Sequence, residues 1–241
     1  MKYKFATMCC GLLLLLSGCA VNYTTPAGGA DIGALTDDDI ATLMTLEPAS
    51  AFPARLAIVR IQASGYSSRT NDSYGSGNFS VVTVRDIEDE DDIKHLQTLP
   101  MVAGIAPLNR VLIQSNLQSI KDLRLSAARL KADMLLIYSV NTAFHVESTS
   151  LGPLSVITLG TLPNHQAYVS ATTSGALIDV RTGYVYGASE ATEREQQRSN
   201  VWSTQDAIDA ARIRAESASF KAFIKDFEIM WDSVVQQYGG Q

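Results

Sequence analysis

The sequence predicts an α/β domain, with α+β as the neighbouring class: a mixed sheet packed by helices and closed by a long C-terminal helix. Three observations carry this. Arg55–Gln62 (RLAIVRIQ) sets Leu56 and Ile58, with Arg60 in line, on one side and Ala57, Val59 and Ile61 on the other, the pattern of a central strand covered on both faces. Ile120, Leu123, Ala127 and Leu130 recur at helical spacing behind Ser119 and run through Ala132 into the buried strand Met134–Val140. Thr204 to about Tyr238 keeps a helical period to the end of the chain. The 241 residues, 46% apolar and 18% charged, suffice for a real core and exclude a disordered or fibrous chain.

The remaining elements follow in order. Thr36 suits an N-cap, Asp37 to Asp39 load the positive helix end, and Ile40, Leu43 and Met44 share one face of a short helix closed by Pro48 and Pro53. A polar loop over residues 63–78 leads to a second strand, Phe79–Val84. An acidic run then opens a helix, Asp91–Leu99, stopped by Pro100, and Val102–Ile105 is a short strand; Leu108–Leu117 shows no assignable period. The strand from Met134 continues weakly to Val146. Leu151–Pro163 is apolar and uncharged but broken by Gly and Pro; it is read as a connection tucked over the core, with an exposed patch meeting a membrane or protein as the alternative. Tyr168–Val180 and Tyr184–Glu193 flank Arg181-Thr182-Gly183 as a strand pair. In the final helix Ile208, Ala211, Ala215 and Ala218 allow close approach to a sheet, and Phe220, Phe223, Phe227, Trp231 and Val234 form a bulky stripe. Thirty-five residues span ~52 Å at 1.5 Å each, so a break near Ser217–Ser219 or a protruding end is expected.

The N-terminus has its own chemistry. Lys2 and Lys4 precede a twelve-residue apolar stretch, Phe5–Leu16, too short to span a bilayer as a helix and typical of a secretory signal. It ends Leu16-Ser17-Gly18-Cys19, which resembles the lipobox of bacterial lipoproteins. The resemblance implies cleavage between Gly18 and Cys19, a diacylglyceryl thioether on Cys19 and acylation of the new amine; multiple chains give stable anchoring. It also implies, from Ala20 in place of Asp, the outer membrane, with the body on the periplasmic face. Residues 1–18 are thus read as signal peptide, 19–35 as a lipidated tether with Pro26, Gly28, Gly29 and Gly33, and 36–241 as one periplasmic domain. Sixteen residues beyond the cysteine would reach roughly 50 Å, so the domain can stand off the membrane, and with no Lys/Arg cluster near the anchor it is expected to hang from its lipid rather than lie flat. Cys9 and Cys10 leave with the signal, and the mature charge becomes 17 bases against 25 acids, or −8.

Ser126–Tyr138 (SAARLKADMLLIY), Gly175–Tyr186 (GALIDVRTGYVY) and the Ala-rich helix are similar to the periplasmic domains of curli-secretion and penicillin-binding-protein-activator lipoproteins, the CsgG-like and LpoB-like domains. Those carry an Ala-Asp step into a buried strand and an L-x-D-x-x-T-G hairpin; the resemblance implies the fold, while its members range from export channels to enzyme activators. The whole chain also resembles uncharacterised proteobacterial lipoproteins.

Chemical motifs are sparse. The mature chain has no G-x-S-x-G, S-x-x-K, H-E-x-x-H, C-x-x-C or P-loop pattern, and His95, His145 and His165 lie far apart. Six acids crowd Asp86–Asp92; they read as a solvated loop whose acids begin a helix, with a divalent-cation site as the alternative. Tyr66, Arg69 and Tyr74 in the long loop are the candidate partner anchors, set against tyrosines that fold back on the sheet. Glu190, Glu193 and Glu195 are the only grouped carboxylates a glycosidase could draw on, Glu193 and Glu195 sharing a strand face on what reads as a solvated edge.

No catalytic residue, cofactor or metal is expected. The expected role is a non-catalytic, outer-membrane-anchored binding or scaffolding module for another envelope protein, held to the membrane by Cys19 and making no contact with nucleic acid, given the formal charge of −6. A periplasmic hydrolase acting on cell-wall or surface glycan is the alternative, and an oligomeric export component a further one.

Overall fold

The computed structural model describes residues 28–29, 33, 40–148, 165–199 and 204–240. The signal segment, the lipobox with Gly18 and Cys19, the cap at Thr36–Asp39 and the segment Leu151–Pro163 lie outside the described residues. In chain order the elements are α1 (Ile40–Leu43), β1 (Ala54–Ala63), β2 (Ser76–Gly77), β3 (Phe79–Val82), α2 (Glu90–Gln97), β4 (Val102–Pro107), β5 (Asn116–Leu117), α3 (Ile120–Arg129), β6 (Met134–Ser148), β7 (His165–Asp179), β8 (Val185–Ser199) and α4 (Thr204–Tyr238).

The fold is mixed α/β, as expected. The main sheet runs β3-β1-β6-β7-β8, and β4 pairs with the first half of β1 on the edge whose second half takes β3. β1 is parallel to β4 and β6; β6, β7 and β8 form an antiparallel meander. Alternation along β1 divides the core. Ala57, Val59 and Ile61 meet Leu123 and Ala127 of α3, while Leu56 and Ile58 meet Phe220, Phe223 and Phe227 of α4 and Ile93 and Leu96 of α2. The segment 108–117 defied a period because it is an irregular strap that inserts Leu108, Ile113 and Leu117 singly into the α3-side core.

α4 is continuous, contrary to the expected break or protruding end. Two lengths explain it. Fifteen residues of strand extend ~51 Å at 3.4 Å each, and 35 helical residues ~52 Å at 1.5 Å each, so α4 returns along the full length of β8. Ser219 does not interrupt it, because its hydroxyl is satisfied by Glu216 O at 2.9 Å and Thr173 Oγ1 at 2.7 Å. At its end Tyr238 packs edge-on against Tyr184 and Tyr186 and shares a 2.9 Å hydroxyl contact with Tyr184. Close packing requires a missing side chain at Gly175, where a Cβ would stand 2.7 Å from the Phe223 ring and 2.8 Å from Ile137 O. Gly175→Val is expected to cost about 1–3 kcal/mol or more by forcing helix from sheet, read as a lower thermal midpoint with retained far-UV ellipticity.

The short N-terminal helix departs from expectation. Among the described residues Ile40–Leu43 is helical, and Ile40 and Met44 are 75% and 80% exposed, so these two side chains meet no core. One helical turn cannot bury a stripe; the segment behind it is held by hydrogen bonds instead. The buried Asp179 of the L-x-D-x-x-T-G hairpin accepts from Arg181 N and Thr182 N through one oxygen, and from Ala49 N, Ser50 Oγ and Tyr186 OH through the other. Gly183, at φ 85°, completes the turn.

Burial alone would raise the Asp179 carboxyl, but donation from Thr182, Ala49, Ser50 and Tyr186 outweighs it and holds the group below its ordinary range. A depressed folded-state value gives stability that is complete above the unfolded carboxyl near pH ~4 and is lost as pH falls through the folded value. Asp179→Asn is therefore expected to lower stability at pH 7 by about 1.5–3 kcal/mol and to flatten the acid limb. Urea denaturation across that limb checks both.

Candidate functional site

The strongest concentration of polar chemistry lies inside the body, on the α4 face of the sheet. β1 carries Arg60 in line with Leu56 and Ile58, and the sheet register sets it beside Tyr138 of β6. The turn after β3 supplies Asp86 and Glu88. α4 supplies Asp209, Arg212 and Glu216, whose i, i+3 and i+7 spacing puts them on one face. The 64–75 loop closes over them with Tyr66 and Thr70.

Two buried guanidinium groups join these elements. Arg60 Nη1 lies 3.0 Å from Asp86 Oδ1 and 3.6 Å from Glu88 Oε1, and its Nη2 is 3.8 Å from Glu216 Oε2. Its guanidinium stands 5.8 Å from the Tyr66 ring centre. Arg212 reaches Asp209 at 3.0 Å and Glu216 at 2.7 Å, and donates to Thr70 Oγ1 at 3.2 Å. Thr70 in turn donates to Asp86 Oδ2 at 2.9 Å, Thr142 donates to Glu216 at 2.7 Å, and Tyr138 donates to Glu88 at 2.7 Å.

The titration of these groups follows from burial against neighbours. Desolvation alone would lower Arg60, yet Glu88, Glu216, Tyr66 and Asp86 hold it above its ordinary value, and Arg212 is held up in the same way by Glu216 and Asp209. Burial raises the Glu216 carboxyl against the pull of Arg212 and Arg60. Burial and Glu88 keep Tyr138 protonated well above the usual phenol range. Beside Arg60, Glu88 and Tyr138 lies a cavity of about 30 Å³, room for a single water. The arrangement is suited to locking β1, β6, the 64–75 loop and α4 together by fixed charge.

The positions singled out by sequence fall as follows. Tyr66 is 3% exposed and points at Arg60, and Tyr74 packs half-buried on the α3-side core with Arg110 over its ring at 5.7 Å. The loop tyrosines thus fold back on the sheet, because each ring finds a cation and a core to cover. Arg69 is half exposed and paired with Asp206 at 2.8 Å. The acidic run divides. Asp89 caps α2, and Glu90, Asp91 and Asp92 fill its first turn, but Asp86 and Glu88 turn inward to Arg60 rather than staying solvated. Among the described residues no group of three or more acidic, His or Cys side chains could hold a metal ion.

Glu190 bonds Ser174 at 2.6 Å on the sheet face opposite Glu193 and Glu195, and Glu195 lies 3.7 Å from Arg214. His95 of α2 meets Glu228 at 2.8 Å, and His145 and His165 stand in the distal ends of β6 and β7. Arg212 and Glu216 were missed by sequence. The available sign was two charged residues on the helix face that also carries Ile208, Ala211 and Ala215. No helix among the described residues is long and apolar enough to cross a membrane.

Fold and site together define a three-layer α/β protein with an arginine-centred ion-pair cluster at the junction of sheet, loop and C-terminal helix. No protein-family model and no curated protein matches the chain. Among solved structures it is similar to a Xanthomonas campestris protein assigned to the family model DUF330, at 13% identity over 80% of this chain and 94% of that one, with a TM-score of 0.39. A hypothetical protein of Chlamydia trachomatis is similar at 11% identity over 76% and 96% of the two chains, with a TM-score of 0.28. Likeness this distant carries neither fold nor function across.

Proposed function

We propose that this protein is an outer-membrane lipoprotein whose periplasmic body acts as a non-catalytic binding or scaffolding module for another envelope protein. The observation that carries the reading is Leu16-Ser17-Gly18-Cys19 at the end of a short apolar stretch behind Lys2 and Lys4. The internal chemistry agrees with it: Arg60 and Arg212 are spent on the body's own carboxylates and lock elements together. The surface offered to a partner includes β8, whose Glu193 and Arg194 are exposed.

In cells fed an alkyne palmitate, the wild-type chain is expected to be labelled and to fractionate with outer membranes, and Cys19→Ser to lose both properties and keep its signal segment. An unlabelled wild-type chain, or a Cys19→Ser chain processed and fractionated like wild type, rejects the anchor. Crosslinking in intact cells followed by mass spectrometry then tests for the partner; recovery of the chain alone rejects the scaffolding role.

A further inference from the structure

The chain re-enters the described structure at a place that limits how the body can stand on a membrane. β1 and β6 are paired only from Leu56↔Met134 to Arg60↔Tyr138, and beyond that they diverge, with Gln62 Nε2 donating across the gap to Val140 O at 3.0 Å. Gly28 lies in this fork. Its carbonyl accepts from Ala63 N at 3.3 Å, and Cβ atoms built at Gly28 and Gly29 would stand 3.1 Å from Asn141 Oδ1 and 3.0 Å from Ser139 Oγ. The tether is therefore pinned to the body well before residue 35. Only the eight residues Ala20–Ala27 remain between Cys19 and the pin, a reach of about 26 Å at 3.3 Å each, against the ~52 Å length of α4.

The pin opens onto one particular surface. The α3-side core takes in the rows of the sheet up to Ile137–Ala176, and beyond the row of the buried Ser139 no helix among the described residues covers that face: Asn141–Thr172–Thr192 and Ala143–Ser170–Arg194 lie in register, with Asn141, Ala143, Thr192 and Arg194 exposed. Thr172 and Thr192 share a 2.7 Å hydroxyl contact across strands, and Glu190 and Arg194 give the face no net charge. On a mature chain of net −8 this is, among the described side chains, a neutral surface that can approach anionic headgroups without repulsion.

We propose that the α3 side of the sheet, open rows included, faces the lipid surface, with the long axis of the body parallel to the bilayer and α4 on the far side. The proposal rests on lipidation of Cys19. The pin sits mid-body, so the leash must be taut to bring the bilayer past either end of the strands, whereas it reaches the open face while slack.

The test uses the full lipidated chain in phosphatidylethanolamine–phosphatidylglycerol vesicles containing headgroup spin-labelled lipid. An NBD fluorophore is placed at Thr192→Cys on the open face or at Ile229→Cys, a 69% exposed position on α4. Quenching at Thr192 is expected to exceed that at Ile229 by at least threefold. Equal or reversed quenching in a chain that floats with the vesicles overturns the orientation alone. A chain that does not float overturns the anchor and the orientation with it. Loss of Thr192 emission that needs no spin-labelled lipid and grows with protein density assigns the face to a second copy and likewise overturns the proposal.

Discussion

Arg60→Met is expected to lower the unfolding free energy by about 3–5 kcal/mol, the scale for removing one partner from a buried ion cluster. Methionine fills much of the volume but leaves Asp86 and Glu88 without their cation and Glu216 with Arg212 alone. Arg60→Lys keeps one charge but has no planar fork to meet Asp86 and Glu216 together, so it is expected to fall between wild type and Met. Pairing Arg60→Met with Glu88→Gln should recover part of the loss, because the uncompensated carboxylate goes with the arginine. Urea denaturation followed by circular dichroism decides: an Arg60→Met midpoint equal to wild type would show that the cluster does not hold the body together.

Trp231→Ala is expected to cost about 3–5 kcal/mol, the range for deleting a fully buried large aromatic. Trp231 stacks on Phe227 at 6.3 Å, meets Phe52 at 5.8 Å and donates through Nε1 to Pro100 O at 2.8 Å, tying α4 to the turn between α2 and β4. Trp231→Phe separates the two contributions: it keeps most of the apolar area and loses the hydrogen bond, for about 1–3 kcal/mol. Equal stability of the Ala and Phe variants would mean that ring packing contributes nothing at this position.

The elements legible in the sequence were those whose burial repeats. β1, α3, β6 and the β7–β8 pair showed themselves through strand alternation or helical spacing, and their observed bounds differ from the expected ones mostly at the distal ends. The strap over residues 108–117 was opaque because three isolated anchors have no period. The continuity of α4 was opaque for another reason: its length is set by the 15-residue strands it follows, a tertiary match that no local window contains. The ion cluster was half visible. Arg60 stands out in an apolar strand, but its partners come from positions 86, 88 and 216, and only the fold decides that Asp86 and Glu88 turn inward while their neighbours cap a helix. The lipobox was read from sequence alone.

The covering helix follows every strand it roofs in chain order, and this has a bearing on biogenesis. A chain delivered N-terminus first can assemble β1 with β6 and the meander, and α2 brings Ile93 and Leu96 to this core, yet Met134, Leu136 and Leu177 lack Phe220, Phe223 and Phe227 until the 35 residues of α4 arrive. Until α4 is made the nascent product carries a sticky, half-finished slab, so a premature stop codon anywhere in that stretch should yield material destined for aggregation or proteolytic clearance rather than a shortened working protein.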